Sequence, residues 1–323
     1  MTAPNALTNA ATAVENAEKA APRPDQAKSM LRIATEQLLE HRLAVISLFI
    51  ITFFVGVAVF ADLISWGLHL DPNVQDILNR YGPWSAEHWL GTDEAGRDVL
   101  IRLVYGTRIS LIVAFLVTFS STVIGIAIGA VAGYFGGLID TTLMRVTDAL
   151  LALPLFPVLI IVASVDASKI PLFDNMTPQA LSVVKMVLVL MIFSWMTQAR
   201  LVRGEILAIK EQEFVLAART SGMSAYSIIM KELLPNVMSP VIVSVTLSVG
   251  SAILFESALS FLGLGIQPPT PSWGNMLNNA QEIIYSAPML AVIPGLLILI
   301  VVVSFNFLGD GLQDALDPKA IRR

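Results

Sequence analysis

The sequence contains no cysteine among its 323 residues, which excludes disulfides, thiolate metal ligands and cysteine nucleophiles. Charged side chains are also scarce, at 14% of the chain, whereas soluble domains carry roughly 25%. Hydrophobic residues make up 55% of the chain, and its mean hydropathy is +0.72. A water-soluble fold would expose large apolar surfaces, so soluble enzymes and nucleic-acid binders are excluded and a membrane protein is expected.

Motifs for catalysis are missing as well. The phosphate-binding loop G-x-x-x-x-G-K-[ST] does not occur, so the chain lacks the usual cradle for ATP. The histidines and carboxylates do not have metal-ligand spacing, and the apolar stretches contain no Ser/His/Asp constellation. We therefore expect a protein that is not an enzyme and that binds no metal or cofactor itself.

Long apolar stretches, uncharged except for Lys185 in the fourth, predict six membrane spans, because about 20 helical residues cross a hydrocarbon core about 30 Å thick. They run from Leu43 to Ala61, Ile109 to Ile139, Ala149 to Val165, Leu181 to Ala199, Leu233 to Phe255 and Ile283 to Gly309. The predicted fold class is thus an all-α membrane protein with six transmembrane helices. Residues 1–42 form a partly disordered tail in which 26–42 is predicted to be an amphipathic helix.

The remaining divisions follow from the spans. Residues 43–108 hold the first helix and an outside segment, residues 109–309 form a five-helix core, and residues 310–323 form a C-terminal tail. Fourteen of the twenty lysines and arginines fall in the tails and in the loops on the same side as the tails. Because cytoplasmic loops carry the excess of these residues, both termini are predicted to be cytoplasmic.

The outside segment after the first span contains two tryptophans and a mixed-charge cluster. Trp84 and Trp89 are typical of anchors at the membrane interface. The charges from Asp93 to Asp98 are interpreted as a solvated helix face, which is the usual place for such a cluster.

One loop on the cytoplasmic side, residues 200–235, has the pattern of a helical hairpin. Residues 213–221 are predicted to be a helix that Gly222 ends, Ser224 is placed to cap a second helix, and Pro235 is expected to end that second helix. On the first helix, Phe214, Ala217, Ala218 and Ser221 are spaced i, i+3, i+4 and i+7. This stripe either packs against the protein's own spans or docks another protein, and the pattern alone favours neither.

The hairpin resembles a known motif. Phe214-Val215-Leu216-Ala217-Ala218-x-x-x-Gly222, followed by Leu233-Leu234-Pro235-Asn236, is similar to the cytoplasmic EAA loop of binding-protein-dependent ABC importer permeases, with Leu216 in place of the usual glutamate. Strings within 88–108, 258–274 and 305–318 resemble the dipeptide/oligopeptide/nickel branch of that family. The resemblance covers roughly residues 28 to 320.

The resemblance implies a type I permease fold in the bacterial inner membrane. The chain would be the second permease of a heterodimeric pair, with two cytoplasmic ATPases that use ATP and Mg and an external solute-binding protein. It would form half of a pathway for short peptides; a nickel-chelate or other small-solute permease and, from another class, an ion-coupled secondary transporter are the alternatives. Phe214, Ala217, Ala218, Ser221 and Gly222 would then belong to the hairpin that couples the permease to an ATPase.

Two further features concern the spans themselves. Glu256 lies at the outer end of the fifth predicted span, where it is interpreted either as a gate or attractor for a peptide's amino group, or as a cap for the turn before Gly263. Gly125, Gly129 and Gly133 recur every fourth residue, which predicts a close helix contact along the second span.

Overall fold

The computed structural model describes residues 30–278 and 280–316, and this part of the chain is helical, with no β-strand. In chain order the helices are α1 (Met30–Glu40), α2 (Arg42–Val59), α3 (Ala61–Leu68), α4 (Val99–Phe135), α5 (Gly137–Leu151), α6 (Leu155–Ala163), α7 (Pro178–Ile209), α8 (Glu213–Thr220), α9 (Ala225–Ile228), α10 (Leu234–Phe261), α11 (Ala280–Ile283) and α12 (Met289–Leu316). The predicted tail at 1–29 and the last residues, 317–323, lie outside the described residues.

Five segments in this part of the chain are long and apolar enough to cross a membrane: α2, α4, α7, α12, and α9 together with α10. A sixth span results if the pair α5 and α6, bent by 85°, is counted as one. The all-α membrane fold is therefore confirmed, but the predicted straight third span is in fact a broken helix. Pro154, directly before α6, explains the break, because proline lacks the N–H that a continuous helix would need.

Most helices extend beyond the apolar windows. α4 begins at Val99 instead of Ile109, with the Asp98 side chain accepting a hydrogen bond from Ile101 N at 2.9 Å. α7 continues to Ile209, so the hairpin starts later than residue 200. α12 begins after Pro288, contains Pro294 and continues through the predicted start of the tail at residue 310. Charged residues at the helix ends fall outside a hydropathy window but remain helical.

The predicted glycine stripe lies in a close contact between α4 and α7. A Cβ atom at Gly125 would lie 2.4 Å from Gln198 Cβ, and one at Gly129 would lie 2.5 Å from Ala199 O. At Gly133 the distance to Ile206 Cβ would be 3.0 Å. These glycines therefore allow the two backbones to approach, and the prediction of close packing is confirmed.

The loop after α10 enters the bundle. Ser272 and Trp273 are completely buried. The Trp273 ring packs edge-on against Phe54 of α2 with centroids 5.8 Å apart, and its backbone N donates to Ser110 Oγ of α4 at 3.2 Å. The segment predicted as an external loop therefore forms part of the hydrophobic core shared by α2, α4, α7, α10 and α12.

Candidate coupling hairpin and transport core

The hairpin forms from local signals that the sequence carries. α8 ends at Thr220, and Gly222 follows with φ of +79°, a left-handed conformation that favours glycine. Ser224 Oγ then accepts a hydrogen bond from Ser227 N at 3.3 Å and caps α9. The predicted helix, its glycine stop and the serine cap are all present in the structure.

The residues of the predicted stripe on α8 do not all lie on one face of the helix. Val215 and Ala218 are buried, with 0% and 8% exposure, in a cluster with residues of α4, α7 and α10. Phe214, Ala217 and Ser221 are exposed. Ala218 therefore faces the protein's own helices, and its small side chain allows α8 to lie close to them. It does not belong to the exposed surface that Phe214, Ala217 and Ser221 form.

Three polar contacts hold the hairpin and its base to the spans. The Arg219 guanidinium carbon lies 5.2 Å from the centre of the Tyr134 ring in α4. Lys210 Nζ donates to Gly133 O at 3.2 Å, at the end of α7. Arg203 Nη2 donates to Asp140 Oδ2 of α5 at 2.7 Å, which joins α7 to the broken helix. The first of these contacts joins α8 to α4, and the other two join the end of α7 to α4 and α5.

The second part of the hairpin is continuous with a span. α9 passes through a π-helical turn, Ile229–Leu233, into α10, and Leu234 N bonds Ile229 O. Pro235 lies in the first turn of α10, where its missing N–H breaks no essential bond. The prediction that Pro235 ends the helix is therefore wrong, and the hairpin is joined rigidly to α10.

Glu256 of α10 has 0% exposure. Ser110 Oγ donates to Glu256 Oε2 at 3.0 Å and Ser260 Oγ donates to Oε1 at 2.8 Å. These two hydroxyls also accept from Trp273 N and Ile266 N of the buried loop. The expectation of an accessible carboxylate at the outer mouth is therefore wrong, and the position fits the alternative of a group that fixes the turn after α10.

The mixed-charge cluster before and in α4 was predicted to be solvated, but apart from the exposed Glu94 its charged side chains are buried. Asp93, Arg97, Asp98 and Arg102 are each 3 to 6% exposed. Arg97 Nε lies 2.7 Å and Arg102 Nε 3.2 Å from Asp93 Oδ2, and His88 Nδ1 lies 2.9 Å from Asp98 Oδ2. Pairing across turns makes burial tolerable, since each charge faces an opposite charge or a hydrogen-bonding group.

A second ion pair links α3 to α4. Arg108 Nη2 lies 2.9 Å from Asp62 Oδ2, and Tyr105 Oη donates to Asp62 Oδ1 at 2.8 Å. The hydrogen bonds from Arg108, and then from Tyr105, lower the pKa of the Asp62 carboxyl.

A cavity of about 360 Å³ lies between the middle parts of α4, α7 and α10 and the joint of α5 and α6. Its lining combines leucine and phenylalanine side chains with serine and threonine hydroxyls. Among residues 30–278 and 280–316, no group of three or more His, Asp or Glu side chains is placed to hold a metal ion. The cavity is thus lined by uncharged side chains and lies next to helices that the hairpin contacts.

The described fold is that of an ABC importer permease. It matches the structure of the MetNI methionine ABC transporter in inward-facing conformations with a TM-score of 0.53, at 20% identity, over 67% of this chain and 96% of that chain.

The chain belongs to the family described as binding-protein-dependent transport system inner membrane component, which residues 125–322 match. Residues 29–83 match the N-terminal transmembrane domain of oligopeptide transport permease C. The chain is 42% identical over 300 residues to the dipeptide transport system permease protein DppC of Alkalihalophilus pseudofirmus, covering 92% of this chain and 93% of that protein.

Two other relatives cover nearly the whole chain. The oligopeptide transport system permease protein OppC of Bacillus subtilis is 34% identical over 307 residues, 95% of each chain. The glutathione transport system permease protein GsiD of Escherichia coli is 37% identical over 298 residues, 92% of this chain and 93% of that protein. The chain is therefore a multi-pass membrane subunit of a transport system.

Proposed function

We propose that this chain is the permease subunit of an ATP-driven importer and forms half of the translocation pathway for short peptides delivered by an external solute-binding protein. The observation that carries the proposal is the hairpin, an ordered helix that has an exposed apolar face and packs on its other side against α4, α7 and α10. Relatives named as dipeptide and oligopeptide permeases support peptide cargo.

The partners follow from what the chain does not carry. It has no phosphate-binding loop, so the energy is supplied by two cytoplasmic ATPase subunits that use ATP and Mg. A second, homologous permease completes the pathway, and both lie in the bacterial inner membrane with cytoplasmic termini. ATP binding in the ATPases then biases two conformations of the permease pair, and α8 transmits that bias to the spans.

A small solute other than a general peptide is the second candidate. The relative named as a glutathione permease favours it, because that protein is 37% identical to this chain. A nickel chelate belongs to the same alternative. An ion-coupled secondary transporter is disfavoured by the family to which the chain belongs.

Uptake into proteoliposomes tests the proposal. The complete complex is reconstituted with ATP inside and a labelled dipeptide with its binding protein outside, and uptake is expected to require both ATP and the binding protein. The isolated chain is expected to hydrolyse no ATP. Uptake that follows an ion gradient without ATP, or ATP-driven uptake of a nickel chelate but of no peptide, would contradict the proposal.

A further inference from the structure

The cavity between α4, α7, α10 and the joint of α5 and α6 has two chemical components. Its apolar wall is formed mainly by leucine and phenylalanine side chains. Its polar groups are hydroxyls from three different helices, among them Thr118 and Ser121 of α4, Ser194 of α7, and Ser248 and Ser251 of α10. Among the described residues no charged side chain lines it. The cavity therefore has an uncharged lining that can form hydrogen bonds with a ligand.

The direction of the existing hydrogen bonds indicates which ligand groups this polar surface can bind. A hydroxyl has one proton to donate and two lone pairs that accept. Ser121 Oγ donates to Thr118 O at 3.1 Å, Ser194 Oγ to Leu190 O at 2.8 Å and Ser248 Oγ to Ser244 O at 2.8 Å. With their protons directed to helix carbonyls, the oxygens of Ser121 and Ser194 offer lone pairs to a ligand and so favour N–H donors. Ser248 Oγ already accepts from Gln198 Nε2 at 3.1 Å and keeps one lone pair.

Thr118 provides an independent observation. Its side chain lines the cavity, the residue is only 3% exposed, and its Oγ1 has no hydrogen-bond partner among the described residues. A buried hydroxyl without a partner is destabilising, whereas a ligand that supplies the missing hydrogen bond removes that cost. The Thr118 hydroxyl is therefore an unused hydrogen-bonding group in the wall of the cavity.

We propose that this cavity, which we call the hydroxyl cavity, is a transit site that binds the main-chain N–H groups of the transported peptide. The proposal rests on the proposed function and adds how the cargo is recognised. Every peptide residue except proline carries an N–H, whatever its side chain, so an array of acceptors holds many sequences alike. A cavity of about 360 Å³ also lies in the range of small-ligand sites.

The amide N–H fits this site better than the peptide's charged amino group. An ammonium ion at this depth would lose its hydration, and no carboxylate lines the cavity to compensate for that loss. An amide carries no net charge and pays a much smaller desolvation penalty. The apolar wall meanwhile accepts side chains of different shapes without requiring a specific one.

The test compares alanyl-alanine with the analogue in which its amide nitrogen is methylated, because the two probes carry the same charges and differ in one N–H. Initial ATP-driven uptake of each is measured with the reconstituted complex at saturating binding protein. The variants are Ser194→Ala and Thr118→Val. Their matched controls are Ser304→Ala and Thr246→Val, which remove hydroxyls bonded to Ile300 O and Ile242 O away from the cavity.

The quantity measured is the uptake ratio of the unmethylated to the methylated probe. The binding protein is the same throughout, so its own preference cancels when ratios are compared between permease variants. Loss of one hydrogen bond to the amide is expected to lower the ratio about two- to tenfold in Ser194→Ala and Thr118→Val. The two control variants are expected to keep the ratio of the unmodified complex.

The proposal is overturned if the uptake ratio of both cavity variants equals that of the unmodified complex, including the case in which uptake of both probes falls by the same factor. In that case ATP-driven uptake by the unmodified complex still stands, and so does the proposed function. If the unmodified complex transports neither probe, the proposed function itself is contradicted together with the hydroxyl cavity.

Discussion

Gly222 is the single residue at which the hairpin depends most on backbone conformation. Its φ is +79°, and a Cβ atom built there would meet nothing within 4 Å. A side chain at this position is therefore disfavoured by the backbone alone, by about 1–2 kcal/mol, and not by a clash. Gly204 in α7 offers a matched comparison, because a Cβ there also meets nothing within 4 Å and its backbone is helical.

We predict that Gly222→Ala lowers ATP-driven uptake by about fivefold or more, the factor equivalent to 1 kcal/mol, while membrane abundance is kept. The strain is relieved by tilting α8, which changes its position on an ATPase. Gly204→Ala is expected to leave uptake unchanged. Uptake per reconstituted complex is the measurement, and equal uptake by both variants would mean that the orientation of α8 is unimportant.

The role of such residues can be predicted from the sequence when the interactions involved are local. The glycine stop and the Ser224 cap depend on neighbours within four residues, and both were predictable. The inward side of α8 was not, because the spacing of Ala217 and Ala218 does not say which of them faces the bundle. The burial of Asp93 could not be predicted from the sequence either, because only the fold brings its partner Arg102 close to it.

At the scale of elements, the close contact of α4 with α7 depends on glycines, which have no side chain to separate the two helices. Gly129 lies so close to α7 that an added Cβ would be 2.5 Å from Ala199 O and 2.9 Å from Val202 Cβ. The neighbouring atoms belong to the backbone and to a stiff side chain, and so they cannot move aside easily. Gly56 in α2, by contrast, has open space around its Cβ position.

Gly129→Ala is expected to destabilise the purified complex by about 1–3 kcal/mol, because overpacking forces the two helices apart. Gly56→Ala, the same substitution in another span, is expected to be neutral or slightly stabilising. The apparent unfolding temperature in detergent checks both. A lowered unfolding temperature for Gly56→Ala, or an unchanged unfolding temperature for Gly129→Ala, would contradict the packing described for α4 and α7.

Helix existence could be predicted for the long spans, whereas their lengths and one break could not. The predicted apolar spans stop at Arg108 and Arg200, although α4 and α7 continue past these residues, which find partners in Asp62 and Asp148. Apolar composition likewise gives no warning that α5 and α6 meet at 85°. Pro154 was the available signal for that break.

At the scale of the whole molecule, the arrangement requires the hairpin and the buried loop to lie on opposite sides of the membrane. The excess of lysine and arginine predicts that the hairpin lies on the cytoplasmic side. The chain has no cysteine, so single introduced cysteines report their location without background. Leu78 is 100% exposed in the segment predicted to be external, and Glu211 is exposed beside α8.

A membrane-impermeant maleimide added to intact cells is expected to label Leu78→Cys and Gln267→Cys but not Glu211→Cys. After the membrane is permeabilised, Glu211→Cys should label as well, which controls for reactivity. The reverse pattern in intact cells would place the hairpin outside and remove it from any ATPase.

The central claim is that the exposed face of α8 contacts an ATPase subunit. A photo-reactive maleimide attached to Ala217→Cys in the assembled complex tests it most directly, with the buried neighbour Ala218→Cys as the matched control. We predict that illumination joins position 217 to the ATPase and that position 218, which packs against the chain's own helices, gives no such adduct. If position 217 forms adducts only with its own chain or with lipid, α8 is a connector between spans and the coupling account is wrong.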